Sequence, residues 1–231
     1  MKELHFKQLD EKLFHEKMDN GLDVYILPKK GFSKTFVTFT TKYGSIDSKF
    51  VPLGESEEIT VPDGIAHFLE HKMFEKEDGD VFQKFSGYGA SANAFTSFTR
   101  TAYLFSATDH LYENTETLIN FVQEPYFTQA TVEKEKGIIG QEITMYDDQP
   151  DWRLYFGTIE NMYKDHPVKI DIAGTIESID AITAEHLYTC YETFYHPSNM
   201  LLFVVGAVNP EDMMTYIREH QNKKEFAASK P

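Results

Sequence analysis

Residues 67–71 read His-Phe-Leu-Glu-His. On an α-helix, positions i, i+3 and i+4 fall within an arc of roughly 100°. His67 and His71 can therefore aim both imidazoles at one point, with Glu70 between them on the same side. Neutral imidazoles suit zinc, and a catalytic zinc site keeps one position open to water. A carboxylate beside that position can take a proton. The competing reading is a solvated helical patch that holds two histidines, since the pattern arises by chance in roughly a few per cent of chains this long. The pattern also makes a demand on the fold. Two histidines are half a site, and a third protein ligand has to come from elsewhere.

The stretch from Thr131 to Tyr146 offers Glu133, Glu135 and Glu142 on a second helix. Glu135 and Glu142 are two turns apart on nearly one face, with Ile138 and Ile139 between them, so that face turns partly inward. Spacing alone weighs a ligand role for these glutamates evenly against an ordinary charged helix face. Gly137 and Gly140 each cost about 1 kcal/mol of helix propensity. Close approach of a neighbouring helix would compensate. Asp147 and Asp148 read as surface charges at the helix end.

Composition narrows the class. The chain has 231 residues, 41% hydrophobic and 26% charged, which suits a soluble globule. Cys190 is the single cysteine, so an internal disulfide and a thiolate-only zinc cage are excluded. The formal net charge of −15 argues against nucleic-acid binding as a main activity. No apolar run approaches a membrane span. Met1-Lys2-Glu3-Leu4-His5 opens without a basic region and apolar core, and the expected location is the bacterial cytoplasm.

In chain order, His15 to Leu27 reads as a hairpin turning at Asn20-Gly21. Thr35 to Tyr43 is a strand rich in β-branched and aromatic residues. Pro62-Asp63-Gly64 signals a helix start, and the helix carrying residues 67–71 is expected to run to about Asp78-Gly79. Asp80 caps a second short helix. Ala90 to Ala107 reads as a β-hairpin turning at Ser97-Phe98-Thr99-Arg100. Helices follow at His110–Glu124, Thr131–Tyr146, Trp152–Tyr163, Ala184–Tyr195 and Asp212–His220, with a buried strand at Leu201–Val205. Trp152 reads as core packing in preference to a chamber wall. Strands in hairpins and helices in runs predict an α+β fold, an antiparallel sheet with helices packed on it.

The sequence resembles the M16 metallopeptidases: the pitrilysin, insulinase and mitochondrial processing peptidase family, whose histidine–glutamate order is that of the inverzincins. The resemblance rests on Gly64-Ile65-Ala66 before the 67–71 motif and on Val132 to Ile143. It rests also on Asn93-Ala94-Phe95-Thr96-Ser97 with Thr101 and Tyr103, on Gly174-Thr175, and on Tyr195, Pro197 and Asn199 before Val204-Val205-Gly206. It spans roughly residues 12–215 and is closest to bacterial processing-peptidase-like proteins. It implies the metallohydrolase domain type shared by S-ribosylhomocysteine lyases and processing peptidases. It implies a zinc endopeptidase of extended or unfolded peptides, with one Zn2+ per chain held by His67, His71 and Glu142. Glu70 is then the general base, and Glu135 supports the site without binding the metal. Asn93 and Ala94 match an edge strand that pairs with the substrate backbone, the mode called β-augmentation.

Family members carry two related domains per half. The resemblance therefore makes residues 1–219 an N-terminal zinc-peptidase domain and residues 220–231 the start of a linker. A homologous C-terminal domain and a second protomer are the implied partners. Two alternatives remain open: a non-catalytic peptide-binding or assembly subunit, and an S-ribosylhomocysteine lyase-like metalloenzyme.

Overall fold

The computed structural model describes residues 1–226. A seven-stranded sheet organises them. Its strands in chain order are β1 (Lys2–Phe6), β2 (Glu11–Lys17), β3 (Asp23–Pro28), β4 (Thr35–Thr41), β5 (Ser91–Thr96), β6 (Thr101–Ala107) and β7 (Met200–Gly206). Their spatial order is β1-β2-β3-β7-β4-β6-β5. All neighbours are antiparallel except β3 and β7, which run parallel. Two ribbons, Lys49–Phe50 with Ile59–Thr60 and Glu75–Lys76 with Gly79–Asp80, decorate the connections.

Alternation sets which face of the sheet is covered. In β4, Thr35, Val37, Phe39 and Thr41 are buried while Phe36 is exposed. In β7, Met200, Leu202, Val204 and Gly206 are buried, and the residues between them only partly. The strand expected to be buried on both sides is thus buried on one, as is common in antiparallel sheets. The helices supply the cover. α1 (Ile65–Met73), α2 (Val81–Gly87) and α3 (Leu111–Gln123) pack on β5, β6 and β4. α4 (Gln129–Asp147) crosses α1 and carries α5 (Pro150–Met162) and α6 (Ile176–Asp180). α7 (Ala184–Phe194) packs on α1, and α8 (Pro210–Gln221) on β3.

Both expected hairpins form. The Asn20-Gly21 turn joins β2 to β3, with Gly21 at φ 91° and Asn20 Oδ1 accepting the Leu22 N–H at 3.1 Å. The Ser97–Arg100 turn joins β5 to β6 in the register Thr96 to Thr101. The Asp80 carboxylate caps α2 by accepting the Phe82 N–H. α1, however, stops at Met73, and the Glu75–Lys76 ribbon replaces the helix expected to continue to Asp78. α8 runs through Gln221, so the first residues of the expected linker are helical, and residues 227–231 lie outside the described residues. Among the described residues, no helix is long and apolar enough to cross a membrane.

The start of α1 depends on a close backbone approach. Gly64 sits at φ 85°, and a Cβ there would lie 2.3 Å from the Ala173 carbonyl oxygen. Gly174, at φ 75°, is pressed reciprocally against the Asp63 carbonyl. The two glycines let the 173–174 segment lie on the helix that carries the histidines. A left-handed conformation alone costs an L-residue about 1–2 kcal/mol. With the clash added, G64A is expected to lose about 2 kcal/mol or more, a fall in Tm of about 4–8 °C for a domain of this size. A thermal melt beside the unsubstituted chain checks this.

Candidate metal centre

α1 is buried on nearly every side, so its polar residues are enclosed by design of the fold: Ile65, Ala66, Phe68, Leu69 and Met73 join the core, and His67 and Glu70 are buried with them. α4 crosses this helix and brings its glutamates to the histidine face. The Nε2 atoms of His67 and His71 lie 3.7 and 3.4 Å from Glu142 Oε2. One donor atom from each of the three residues falls within 4.8 Å of the others. A tetrahedral zinc with bonds of about 2.0–2.1 Å sets its ligand atoms roughly 3.3 Å apart. The donors are two imidazoles and one carboxylate, a set that zinc takes in hydrolytic sites. The residues fit the ion.

Glu135 sits behind this group. Its Oε1 is 3.1 Å from His71 Nδ1, on the side of the ring away from Glu142. A proton on Nδ1 directed at Glu135 leaves the Nε2 lone pair toward the metal position, the usual role of a carboxylate behind a ligating histidine. His67 has no such support: its Nδ1 is buried without a hydrogen-bond partner among the described residues. Burial, and then the neighbouring His71, holds the His67 pKa at about 4, so its imidazole is neutral at physiological pH and available as a ligand. At His71 burial opposes charge, but the Glu135 hydrogen bond and the charges of Glu70 and Glu142 outweigh it and raise the pKa. Burial likewise works against ionisation of Glu135, and the hydrogen bond from His71 wins, so that carboxyl titrates below its ordinary value.

Glu70 lies beside the triad with its pKa raised, chiefly by burial. Its Oε2 accepts a hydrogen bond from the Thr96 hydroxyl at 2.9 Å. Thr96 ends β5, and among the described residues β5 pairs only with β6, at the edge of the sheet. Ser97 N–H bonds the Arg100 carbonyl at 2.8 Å. Because bonded pairs alternate along an antiparallel ladder, Asn93 and Phe95 then face β6, and the Ala94 N–H and C=O point to the open side. The Asn93 side chain accepts the Ala94 N–H at 2.9 Å. The cleft beside this edge, about 300 Å3, is lined by the histidines, Glu70, Glu142, Asn93, Ala94 and Thr96, with Tyr146 and Trp152 on its far wall.

The sequence left Tyr146, Trp152 and Thr96 without roles here. Trp152, expected as core packing, is only partly buried and lines the cleft instead. It stacks on Tyr146 with ring centroids 4.5 Å apart, and its indole N–H donates to Asp171 Oδ2 at 2.7 Å. Tyr146 donates to Glu142 Oε1 at 2.8 Å. Its place four residues after Glu142 was a readable signal, since i and i+4 share a helix face. Thr96 shared one with Ala94 and Ala92 through the two-residue period of a strand. Gly137 and Gly140 do not serve a close approach: a Cβ on either would meet nothing within 4 Å. Nothing in the structure explains them. Ile139 is buried as expected, but Ile138 is exposed, so the inward stripe of α4 is narrow.

Comparison with known proteins decides the family. The profile of Insulinase (Peptidase family M16) matches residues 50–176, more than half of the chain. The chain belongs to peptidase family M16. The profile named Peptidase M16 inactive domain matches residues 181–231, yet β7 from that stretch lies between β3 and β4 in the same sheet. An uncharacterised zinc protease of Bacillus subtilis, YmfH, is 72% identical over 226 residues, covering 98% of this chain and 53% of that protein. An M16-like peptidase from Alicyclobacillus acidocaldarius superposes with a TM-score of 0.91 at 46% identity, over 95% of this chain and 51% of the other. A protease from Helicobacter pylori shares the fold at a TM-score of 0.83 and 24% identity, over 96% of this chain and 52% of that one. The chain thus spans about half the length of the relatives it matches. M16 membership sets aside the S-ribosylhomocysteine lyase alternative.

Proposed function

We propose that this chain is the metal-binding and peptide-holding half of a zinc endopeptidase acting on extended or unfolded peptides. One observation carries the reading: three metal donors and a buried carboxylate converge beside an open sheet edge. His67, His71 and Glu142 would hold one zinc ion. Zinc, when bound, polarises a carbonyl oxygen and makes water a nucleophile at neutral pH. Glu70, held by Thr96, takes the proton released at Oε1 or Oε2 as the peptide carbonyl is attacked, and can return it to the leaving amine. The Ala94 C=O and, once the Asn93 side chain that accepts it swings away, the Ala94 N–H pair with the backbone of an extended peptide, so the strand fixes the peptide's path and reads little of its side chains. A homologous following domain and a second protomer would close the cleft, in keeping with the length of the relatives. The alternative of a non-catalytic subunit gives no account of an intact base beside intact donors.

The ligand assignment separates two glutamates on one helix. Metal analysis of the 231-residue chain is expected to find one zinc. E142A is expected to weaken zinc binding well over 100-fold, leaving only the measurable residual affinity of the two histidines, whereas E135A lowers affinity about 10–100-fold, the usual cost of losing a partner behind a ligand. Retention by E142A with loss by E135A would reverse the two roles.

A further inference from the structure

Glu142 has two carboxylate oxygens and the structure gives them different duties. Oε2 faces both imidazoles. Oε1 accepts the Tyr146 hydroxyl at 2.8 Å. Tyr146 is itself fixed. Its ring lies flat on Trp152, with 15° between the planes. Trp152 is tied to Asp171 through its indole N–H at 2.7 Å. Asp171 is anchored in turn, its Oδ1 accepting the Ala173 N–H at 3.0 Å and its carbonyl the Gly174 N–H at 2.9 Å. This is the segment that Gly64 and Gly174 press onto α1. A rigid path of contacts therefore runs from the base of the histidine helix back to the glutamate on α4.

From this geometry we infer that Tyr146 is a positioning residue for the metal, acting through Glu142. The inference rests on the metal-centre reading above. A glutamate carries three side-chain torsions and loses substantial rotamer freedom when it is fixed. Glu142 is the member of the triad with no help from its own backbone motif: the two histidines are aligned by helical spacing, and His71 is also held by Glu135. The Tyr146 hydroxyl selects one rotamer of Glu142 before metal arrives and occupies the oxygen that does not face the imidazoles. Glu135 and Tyr146 stand three turns apart on α4 with Glu142 between them. One helix thus supplies a ligand and the supports of two ligands.

The test uses the 231-residue chain, titrated with zinc against a chromogenic chelator. Y146F keeps the ring on Trp152 and removes only the hydroxyl. It is expected to weaken zinc binding about 10–100-fold, with the melting temperature of the metal-free protein unchanged. Adding Y146F to E142A is expected to weaken zinc no further, because the hydroxyl then has no carboxylate to hold, whereas a general loosening would lower affinity in both backgrounds. A fall below about tenfold in the first comparison, or an equal fall in both, overturns the inference. Should Y146F fold poorly, D171A removes the acceptor of the Trp152 indole N–H without touching Tyr146 or a ligand. Weaker zinc binding in D171A supports the path of contacts, and unchanged binding overturns it. The metal-centre reading fails by a different result, E142A binding zinc as tightly as the unsubstituted chain.

Discussion

Replacing Glu70 with glutamine is expected to leave zinc bound and to lower peptide hydrolysis by about 10²–10⁴-fold, the usual contribution of a general base. The measurement is kcat/KM on an unstructured peptide, with the chain placed in the full length that its relatives have, alongside zinc content. Glu70 shares a helix face with His67 and His71 but is absent from the donor group, which consists of those histidines and Glu142. Its carboxylate is instead fixed by Thr96 at the end of the edge strand. The amide of glutamine keeps the shape and can still accept from Thr96, yet it has no basic oxygen to take a proton. Burial raises the pKa of Glu70 from its ordinary value, the direction that makes a carboxylate a better base. Activity falls as pH drops through the Glu70 pKa, because protonated Glu70 resembles the glutamine variant. Zinc content equal to that of the unsubstituted protein with hydrolysis retained above about a hundredth would remove the base role.

The parts of this centre differ in how far the chain of residues reveals them, and the difference is physical. His67, Glu70 and His71 lie within one helical turn and a fraction, so local geometry alone assembles them. Glu142 is distant in sequence. The spacing of its helix leaves it level with Glu135, and only the family resemblance separates their roles; the structure places Glu142 against both imidazoles and Glu135 behind His71. Tyr146 becomes legible only through its partner, since a tyrosine one turn beyond a glutamate is unremarkable until that glutamate is known to face a metal. Trp152 needs Asp171, which reaches it through an irregular segment without periodicity. In the sheet, hairpins are legible because turn chemistry is local. The parallel pairing of β3 with β7 is not, because it joins residues far apart in the chain through the packing of everything between. β1 escapes for another reason. It buries no residue fully, so its short Leu4/Phe6 alternation marks no core face and it exists by pairing with β2.

Replacing Ala94 with proline is expected to leave the fold and the zinc in place and to lower peptide hydrolysis about a hundredfold, because the loss is confined to the open side of β5. The register of the β5–β6 hairpin, anchored by the Ser97 to Arg100 bond, puts Asn93 and Phe95 in bonded pairs and turns the Ala94 N–H outward. Proline removes an N–H and is tolerated in a sheet only where that N–H faces away from the ladder on an edge strand. It also holds the preceding residue in the extended region, which Asn93 already occupies in β5. F95P should behave in the opposite way, breaking a ladder bond to β6 and lowering the melting temperature. For a substrate strand, loss of the Ala94 donor removes one backbone hydrogen bond and leaves a peptide carbonyl unpaired, a cost of about 2–3 kcal/mol, or roughly 30- to 150-fold. Ala94 is neither the base nor one of the metal donors. Bare edges invite pairing with other chains, and proteins usually block them. Here the edge lies open next to Glu70 and the histidines, where pairing brings a peptide bond to the chemistry. If A94P cleaves an extended peptide as fast as the unsubstituted protein, the peptide is held elsewhere and the open edge of β5 has no part in it.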